Sequence, residues 1–259
     1  MKLIQGKIYN YILQEIEKKG ALFFLLLDPD KTKVDQLEKL VPEFEASDID
    51  ILLIGGSLIL DSDFNEFVRI IKSKTKLPVV IFPGGVEQVS PFADAILFLS
   101  IVSGRNPENL IGKHVIAAPL IKRINLEPIS TAYLLVESGK TTTAEFLSNS
   151  KPIPRHKPDL AAAHALAAEF LGMKLIYLEA GSGAELTVPE EMIYAVSKIC
   201  SIPVIVGGGI RSPEVARKKI EAGAKIVVVG NHFDNPENFN QLKEFTSTVH
   251  YKLKATKEV

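Results

Sequence analysis

The hydrophobic residues of this chain fall into short continuous runs rather than into an alternating pattern. The eight runs are "ALFFLLLD" (21–28), "ILLIGG" (51–56), "PVVIFPGG" (78–85), "AILFLS" (95–100), "AYLLVESG" (132–139), "KLIYLEAG" (174–181), "PVIVGGG" (203–209) and "KIVVVGN" (225–231). Continuous apolar runs of this length are typical of parallel strands that are buried on both faces of a sheet. The pattern therefore predicts eight buried strands.

Helical patterns separate most of these runs. They cover residues 34–47, 63–75, 158–172, 188–200 and 212–223. The last two have Pro near the first helical position, and Ser212 is placed to cap the final one. Strands that alternate with helices predict a parallel α/β sheet, and eight strands at this length favour a closed (β/α)8 TIM barrel over a doubly wound sheet. Segment 113–121 has β-branched residues that suit a ninth strand, but we assign it to the helical layer.

The chain shows no boundary between domains. No linker-like or low-complexity stretch interrupts it, so we expect residues 1–259 to form a single barrel domain. The connection 139–158 is long, and long connections in compact domains tend to be functional or mobile.

Composition excludes several classes of protein. The net charge of −1 predicts no nucleic-acid partner. The one cysteine, Cys200, is expected to be a core residue of a protein from a reducing compartment. The N-terminus resembles no secretory signal, and the longest apolar runs fall far short of the ~18 residues that a membrane span needs. We therefore expect a soluble cytoplasmic protein.

Two tempting nucleotide motifs fail. "SGKTTT" (138–143) has Leu134 where a phosphate-binding Walker loop needs Gly, and "GSGAEL" (181–186) has Leu186 at the third glycine position of a dinucleotide fingerprint. The histidines are scattered and form no metal-binding pattern; His164 is expected to be a packing residue.

The last three predicted strands end in glycine-rich turns. These turns are Gly181-Ser182-Gly183, Gly207-Gly208-Gly209 and Gly230-Asn231. In a (β/α)8 barrel the carboxyl ends of the strands form the active site, and phosphate often binds beyond strands seven and eight. Glycine lets backbone N–H groups approach an anion closely. Tight-turn chemistry alone is the alternative, but three adjacent turns favour a phosphate site.

The first two strands end in groups that suit a metal ion. Asp28 and Ser57 would face the barrel mouth from neighbouring strands, where they could share a Mg²⁺ with phosphate oxygens and water. The alternatives are a turn before Pro29 for Asp28 and a helix cap for Ser57. Asp30 is interpreted as a turn or cap residue.

Glu179 lies within the last turn of a buried strand. An acid in that position is costly unless it is paired, bound to metal or used for proton transfer. A structural salt bridge is one reading. The other is a general base that reaches a hydroxyl of the bound phosphorylated substrate.

Five motifs in this order and spacing resemble the geranylgeranylglyceryl phosphate synthase family, in the branch shared by archaea and some bacteria. They are "LLLDPDK" (25–31), "IGGS" (54–57), "YLEAGSGA" (177–184), "VGGGIRS" (206–212) and "VVVGN" (227–231). The resemblance implies a Mg²⁺-dependent transfer of a polyprenyl group from its diphosphate to the 3-hydroxyl of sn-glycerol 1-phosphate.

The resemblance also implies roles for particular residues. Asp28 and Ser57 match the Mg²⁺ positions, and Glu179 remains the catalytic base. The glycerol phosphate positions are Tyr177, Leu178, Glu179, Ala180, Gly181, Ser182, Gly183, Gly208, Gly209, Gly230 and Asn231. One departure is Leu26, because another branch of the family has lysine there, so its phosphate contacts must come from elsewhere.

Several points stay open from the sequence. Phe82 and Phe98 could line a groove for the prenyl tail or belong to the core, and the tail length is undetermined. Family members form dimers or larger assemblies, which implies a homo-oligomer, and transient membrane contact is left open. The alternative functions are a sugar-phosphate isomerase or lyase on the same barrel and a non-catalytic barrel that binds a phosphorylated metabolite.

Overall fold

The computed structural model describes residues 6–251 and contains a closed barrel of parallel strands. The strands are β1 (Leu22–Leu27), β2 (Ile51–Ile54), β3 (Val79–Ile81), β4 (Ala95–Ile101), β5 (Glu127–Leu135), β6 (Leu175–Glu179), β7 (Val204–Gly207) and β8 (Ile226–Val229). They follow chain order around the barrel, and β1 pairs with both β2 and β8. The predicted (β/α)8 barrel is confirmed.

Helices cover most of the outside of the barrel. They are α1 (Lys7–Lys19), α2 (Leu37–Ala46), α3 (Phe64–Lys74), α4 (Lys113–Arg123), α5 (Thr143–Ser148), α6 (Pro158–Phe170), α7 (Glu190–Ile199), α8 (Pro213–Glu221) and α9 (Leu242–Val249). Segment 113–121 is helical as predicted, and the Ser212 side chain accepts the Val215 N–H at the start of α8. The long connection after β5 contains the short helix α5. None of the helices within residues 6–251 combines the length and apolar character that crossing a bilayer requires.

Burial on both faces of the strands explains their continuous apolar runs. In β1, Leu22 and Phe24 belong to the cluster inside the barrel, whereas Phe23 and Leu25 belong to the cluster between strands and helices. Successive side chains of a strand point to opposite faces. Every position of such a strand must therefore be apolar, and no alternating pattern can appear.

Helix α1 closes the amino-terminal end of the barrel. Its Ile8 and Ile12 are buried in the interior cluster. The first residue of β5, Glu127, accepts the N–H groups of Ile8 and Tyr9 at 2.7 and 3.0 Å, which supplies the acceptor that the helix start otherwise lacks. The opposite, carboxyl-terminal end of the barrel is thereby left as the open mouth.

The connection between β3 and β4 contains no helix. Residues 82–94 form an irregular loop, although every other β-to-β connection in the barrel includes at least one helix. The outer face of β4 is consequently covered only partly, by this loop and by α4. The gap gives the mouth of the barrel an outlet through its helical layer.

Two residues differ from a simple core assignment. His164 is half-buried, and its ring nitrogens lie 2.7 Å from the Leu160 carbonyl and 3.3 Å from Arg105, so the expectation of a packing residue is wrong. Cys200 is also half-buried and packs against the outer cluster. Burial, with a contribution from the Glu169 charge, raises its pKa to about 12, which suits a residue without a nucleophilic role.

A buried carboxylate ties the ends of helices α1 and α9 to the barrel. Asp50, just before β2, accepts the Phe23 N–H at 2.7 Å and pairs with Lys19 at 2.8 Å. The ring of His250, beyond α9, lies 2.8 Å from the same carboxylate. Asp48 pairs with the same Lys19 and His250 from the surface.

We predict that Asp50→Ala lowers the free energy of unfolding by about 3 kcal/mol or more, because it leaves the buried Phe23 N–H and the half-buried Lys19 ammonium group without their acceptor. Asp48→Asn is the matched control and should cost under about 1 kcal/mol, since exposed ion pairs contribute little and Asn tolerates the left-handed φ of +57° at this position. Urea unfolding of both variants measures the difference. Equal losses would show that the buried carboxylate has no special structural role.

Candidate active site

A cavity of about 420 Å³ opens at the carboxyl-terminal mouth of the barrel. Its walls come from loops that follow the strands and from the outer face of β4. At the mouth they include Asp28, Ser57, Tyr177, Glu179, Ser182, Gly183, Gly208, Gly209, Gly230 and Asn231. Ten of the sequence-predicted site residues therefore share one cavity.

Glu179 is a buried acid at the end of β6. Glu179 is only 5% exposed, and its Oε1 accepts the Gly181 N–H at 2.6 Å. Burial raises its pKa to about 7, while the Gly181 N–H and the Tyr177 hydroxyl partly oppose this rise. A carboxyl group that titrates near neutral pH can both accept and release a proton under physiological conditions.

Three aromatic rings form the floor beside Glu179. Phe82 stacks on Tyr177 with ring centroids 5.1 Å apart, and Tyr133 lies 5.4 Å from Tyr177. Burial, followed by the Glu179 charge, raises the pKa of both tyrosines well above the ordinary value. Both hydroxyls therefore stay protonated, so Tyr177 can stabilise the ionised form of Glu179 by hydrogen bonding.

Two glycines of the β7 turn make room for Glu179. A Cβ at Gly207 would lie 2.9 Å from Oε2, and a Cβ at Gly208 would lie 2.5 Å from Oε1. The φ of Gly208 is also +86°, which a larger residue adopts only with strain. Part of the glycine signal in the sequence thus reflects space for the acid rather than contact with phosphate.

The glycine turn after β6 presents donors to one oxygen. The Ser182 hydroxyl and the Gly183 N–H both donate to Asn231 Oδ1 at 2.8 Å. Asn231 comes from the turn after β8, so two strand ends meet at this point. A position where an oxygen receives a hydroxyl and a backbone N–H is one that an oxygen of phosphate can also occupy.

Three of the predicted substrate positions, Leu178, Ala180 and Gly181, are not part of the cavity lining. Leu178 and Ala180 are buried in the cluster between strands and helices. The N–H of Gly181 is used by Glu179. Their assignment to the substrate stays a prediction.

Asp28 directly follows β1, the strand that pairs with β8, so it lies beside the Gly230-Asn231 turn. Its Oδ1 accepts the Asp30 N–H at 3.1 Å, and its Oδ2 lies 3.6 Å from Lys31 Nζ. Burial raises its pKa, so the carboxylate is short of compensating positive charge. Gly56 packs close to it, since a Cβ there would lie 3.2 Å from the carboxylate oxygens. Asp30 accepts the N–H groups of Leu60 and Ser62 and holds the loop after β2.

The cavity continues into an apolar groove outside the barrel. Ile96 and Phe98 on the outer face of β4 line it, and Ala117 and Ile121 of α4 face them. His114, edge-on to Phe98 with centroids 4.5 Å apart, forms part of the wall, and burial lowers its pKa. Phe82 and Phe98 both line the cavity, Phe82 at the aromatic floor and Phe98 in the groove.

Sequence reasoning missed several polar residues of the cavity. They include Lys31, Lys113, Arg211 and Asp234. Arg211 donates to the Ala184 carbonyl at 2.9 Å and so fixes the glycine turn after β6. For Lys31 and Arg211 the available signal was their place in the motifs "LLLDPDK" and "VGGGIRS".

Comparisons with known proteins agree with this geometry. Residues 13–249 match the PcrB family. A protein named geranylgeranylglyceryl phosphate synthase from Chitinophaga pinensis is 43% identical over 95% of this chain and 97% of its own length. A protein of the same name from Pyrococcus furiosus is 45% identical over 92% and 94% of the two chains.

A solved structure supports the same relationship. It is the crystal structure of (S)-3-O-geranylgeranylglyceryl phosphate synthase from Thermoplasma acidophilum in complex with its substrate sn-glycerol-1-phosphate. It superposes with a TM-score of 0.86 at 33% identity and covers 93% of this chain and 98% of its own. The resemblance inferred from the five motifs is thus confirmed, and the chain belongs to the PcrB family.

Proposed function

We propose that this chain is a geranylgeranylglyceryl phosphate synthase. It would join a polyprenyl group to the 3-hydroxyl of sn-glycerol 1-phosphate in ether-lipid biosynthesis. The relatives are named geranylgeranylglyceryl phosphate synthases, so we propose a geranylgeranyl group. The observation that carries the proposal is the buried Glu179 carboxyl, with a pKa of about 7, two residues before a turn whose donors converge on one oxygen.

Glycerol phosphate fits the glycine-rich side of the mouth. The Ser182 hydroxyl and the Gly183 N–H would donate to its phosphate in place of Asn231 Oδ1. The similar structure from Thermoplasma acidophilum is a complex with sn-glycerol-1-phosphate, which supports this choice of ligand. With the phosphate bound there, the glycerol hydroxyls would point toward the interior of the mouth, where Glu179 lies.

Glu179 would act as the general base. It removes the proton from the 3-hydroxyl as that oxygen bonds to the first carbon of the prenyl chain. The bond from that carbon to the diphosphate breaks, and its electron pair leaves with the diphosphate oxygen. The products are the prenyl ether of glycerol phosphate, diphosphate and protonated Glu179, so the atoms and charges of the transfer balance.

Mg²⁺ is the proposed cofactor, and the residues present fit it. Asp28 supplies one carboxylate that lacks sufficient positive charge, and Ser57 lines the same cavity. No group of three or more His, Cys, Asp or Glu side chains in residues 6–251 could hold a metal ion. Mg²⁺ suits such a site, because it keeps several waters and uses few carboxylates plus substrate phosphates. When bound, it would neutralise charge on the leaving diphosphate.

The apolar groove would hold the prenyl tail. It leads from the mouth to the outer face of β4, where the missing helix leaves space. Homo-oligomer formation, membrane contact, a cytoplasmic location and a single domain over residues 1–259 remain predictions.

The direct test of the function is incubation with Mg²⁺, glycerol 1-phosphate and prenyl diphosphates of graded length. Product with sn-glycerol 1-phosphate and little with its enantiomer, sn-glycerol 3-phosphate, is expected. Isomerisation or cleavage of a sugar phosphate without prenyl transfer would favour the alternative barrel enzymes. Binding of phosphorylated ligands without turnover would favour a non-catalytic barrel.

Glu179→Gln should lower kcat by about 10²–10⁴-fold, because Gln can accept the Gly181 N–H but cannot take a proton. In the wild type, kcat/KM should fall as pH drops below about 7, since the base must be ionised. Glu185→Gln, which changes an exposed acid on the loop that follows β6, is the control. Near-normal turnover by Glu179→Gln would remove Glu179 from the chemistry.

Chelation by EDTA should abolish turnover, and added Mg²⁺ should restore it. Asp28→Asn should raise the Mg²⁺ concentration for half-maximal activity by about tenfold or more, because it removes the one carboxylate proposed to hold the ion. Asp35→Asn, an exposed acid farther along the chain, should behave as wild type. Full activity in EDTA would refute the metal requirement.

Ala117→Phe should shift the preference toward shorter prenyl diphosphates, with a loss of about tenfold or more for the longest substrate accepted by the wild type. The added ring would fill the groove between α4 and β4. Ala118→Phe, on the exposed side of the same helix, is the matched control. An unchanged length profile for Ala117→Phe would place the tail elsewhere.

A further inference from the structure

A lysine at the mouth links the proposed metal carboxylate, after β1, to the segment that follows the neighbouring strand β8. Lys31 Nζ lies 3.6 Å from Asp28 Oδ2 and 3.0 Å from Asp234 Oδ2. All three residues line the cavity, and the Lys31 side chain is 40% exposed. The ammonium group is therefore held at the mouth by two carboxylates but remains open to solvent and ligand.

Asp234 has a second contact that fixes its orientation. The same Oδ2 accepts the side-chain N–H of Asn231 at 2.9 Å. Asn231 in turn receives the donors of Ser182 and Gly183. A continuous chain of polar contacts thus runs from the glycine turn through Asn231 and Asp234 to Lys31 and ends at Asp28.

The charge of the leaving group calls for a protein cation at this point. A diphosphate that binds one divalent ion still carries net negative charge, and that charge grows on the departing oxygen as the bond to the prenyl carbon breaks. Lysine, arginine and metal ions are the groups that stabilise such charge in phosphate sites. Arg211 and Lys113 also line the cavity, and Arg211 Nη2 donates to the Ala184 carbonyl, whereas Lys31 lies beside the metal carboxylate.

We propose that Lys31 binds the diphosphate of the prenyl substrate and that Asp234 is the positioning residue that keeps its ammonium group at the mouth. The proposal rests on the proposed function. Before the substrate arrives, Asp28 and Asp234 balance the lysine charge. Once Asp28 and the diphosphate share a cation, the ammonium group is free to donate to diphosphate oxygens while Asp234 retains it.

The test is calorimetric titration of the protein with inorganic pyrophosphate in the presence of Mg²⁺. Lys31→Met should raise the Kd of pyrophosphate by about 10–100-fold, as expected for loss of a charge-assisted hydrogen bond. The Kd of glycerol 1-phosphate should change by less than about threefold. Lys33→Met removes an exposed lysine outside the cavity wall and should leave both constants near wild type.

Lys31→Arg is the second variant, because it keeps the charge and the donors. It should bind pyrophosphate much more tightly than Lys31→Met. As a single substitution, Asp234→Asn should weaken pyrophosphate binding several-fold. It should have no further effect when Lys31→Met is already present, since a positioning residue acts through the lysine. A loss that persists in that background would show that Asp234 acts independently of Lys31.

Three results would overturn the proposal. They are a wild-type chain that does not bind Mg²⁺–pyrophosphate, a Lys31→Met variant that binds it as tightly as Lys33→Met, and a Lys31→Met variant that loses glycerol 1-phosphate to the same extent. Failure of the proposed function would look different. It would appear as a wild-type protein without prenyl transfer, whereas these titrations require no turnover.

Discussion

The site depends on the burial of one carboxyl group. Glu179 lies almost out of reach of water at the end of a strand, with one backbone N–H and one tyrosine hydroxyl to support its charge. Two donors do not fully replace hydration, so the acid keeps its proton up to about neutral pH. The burial of Glu179 also explains three of its neighbours. Gly207 and Gly208 have no side chain and so make space for the carboxyl group, and the neutral Tyr177 stabilises it.

Most of the fold could be predicted because two-sided burial leaves a clear signal. All eight strands were found from continuous apolar runs, and α4 was identified despite its β-branched residues. The start of β5 at Glu127 was missed, since polar residues and Pro128 interrupt the apolar pattern there. The absence of a helix after β3 also leaves little trace in the sequence. It is nevertheless the feature that opens the groove beside β4.

The sequence predicted those site residues whose position follows directly from lying at the end of a strand. Asp28, Glu179 and the glycine turns were placed at the mouth by the barrel rule alone. The contacts of Lys31 with Asp234 could not be foreseen, because they join residues 203 positions apart. The sequence also could not show which glycines make space for Glu179 and which donate to an anion, because this depends on side-chain packing between neighbouring strands.

The most direct measurement of this account is the protonation of Glu179 itself. A ¹³C NMR titration of the protein with labelled glutamate carboxyl carbons, with Glu179→Gln to assign the signal, reports that equilibrium without any assay of turnover. The account predicts a midpoint of about 7 in the free protein. A midpoint near 4.5, the ordinary value for a glutamate side chain, would contradict it.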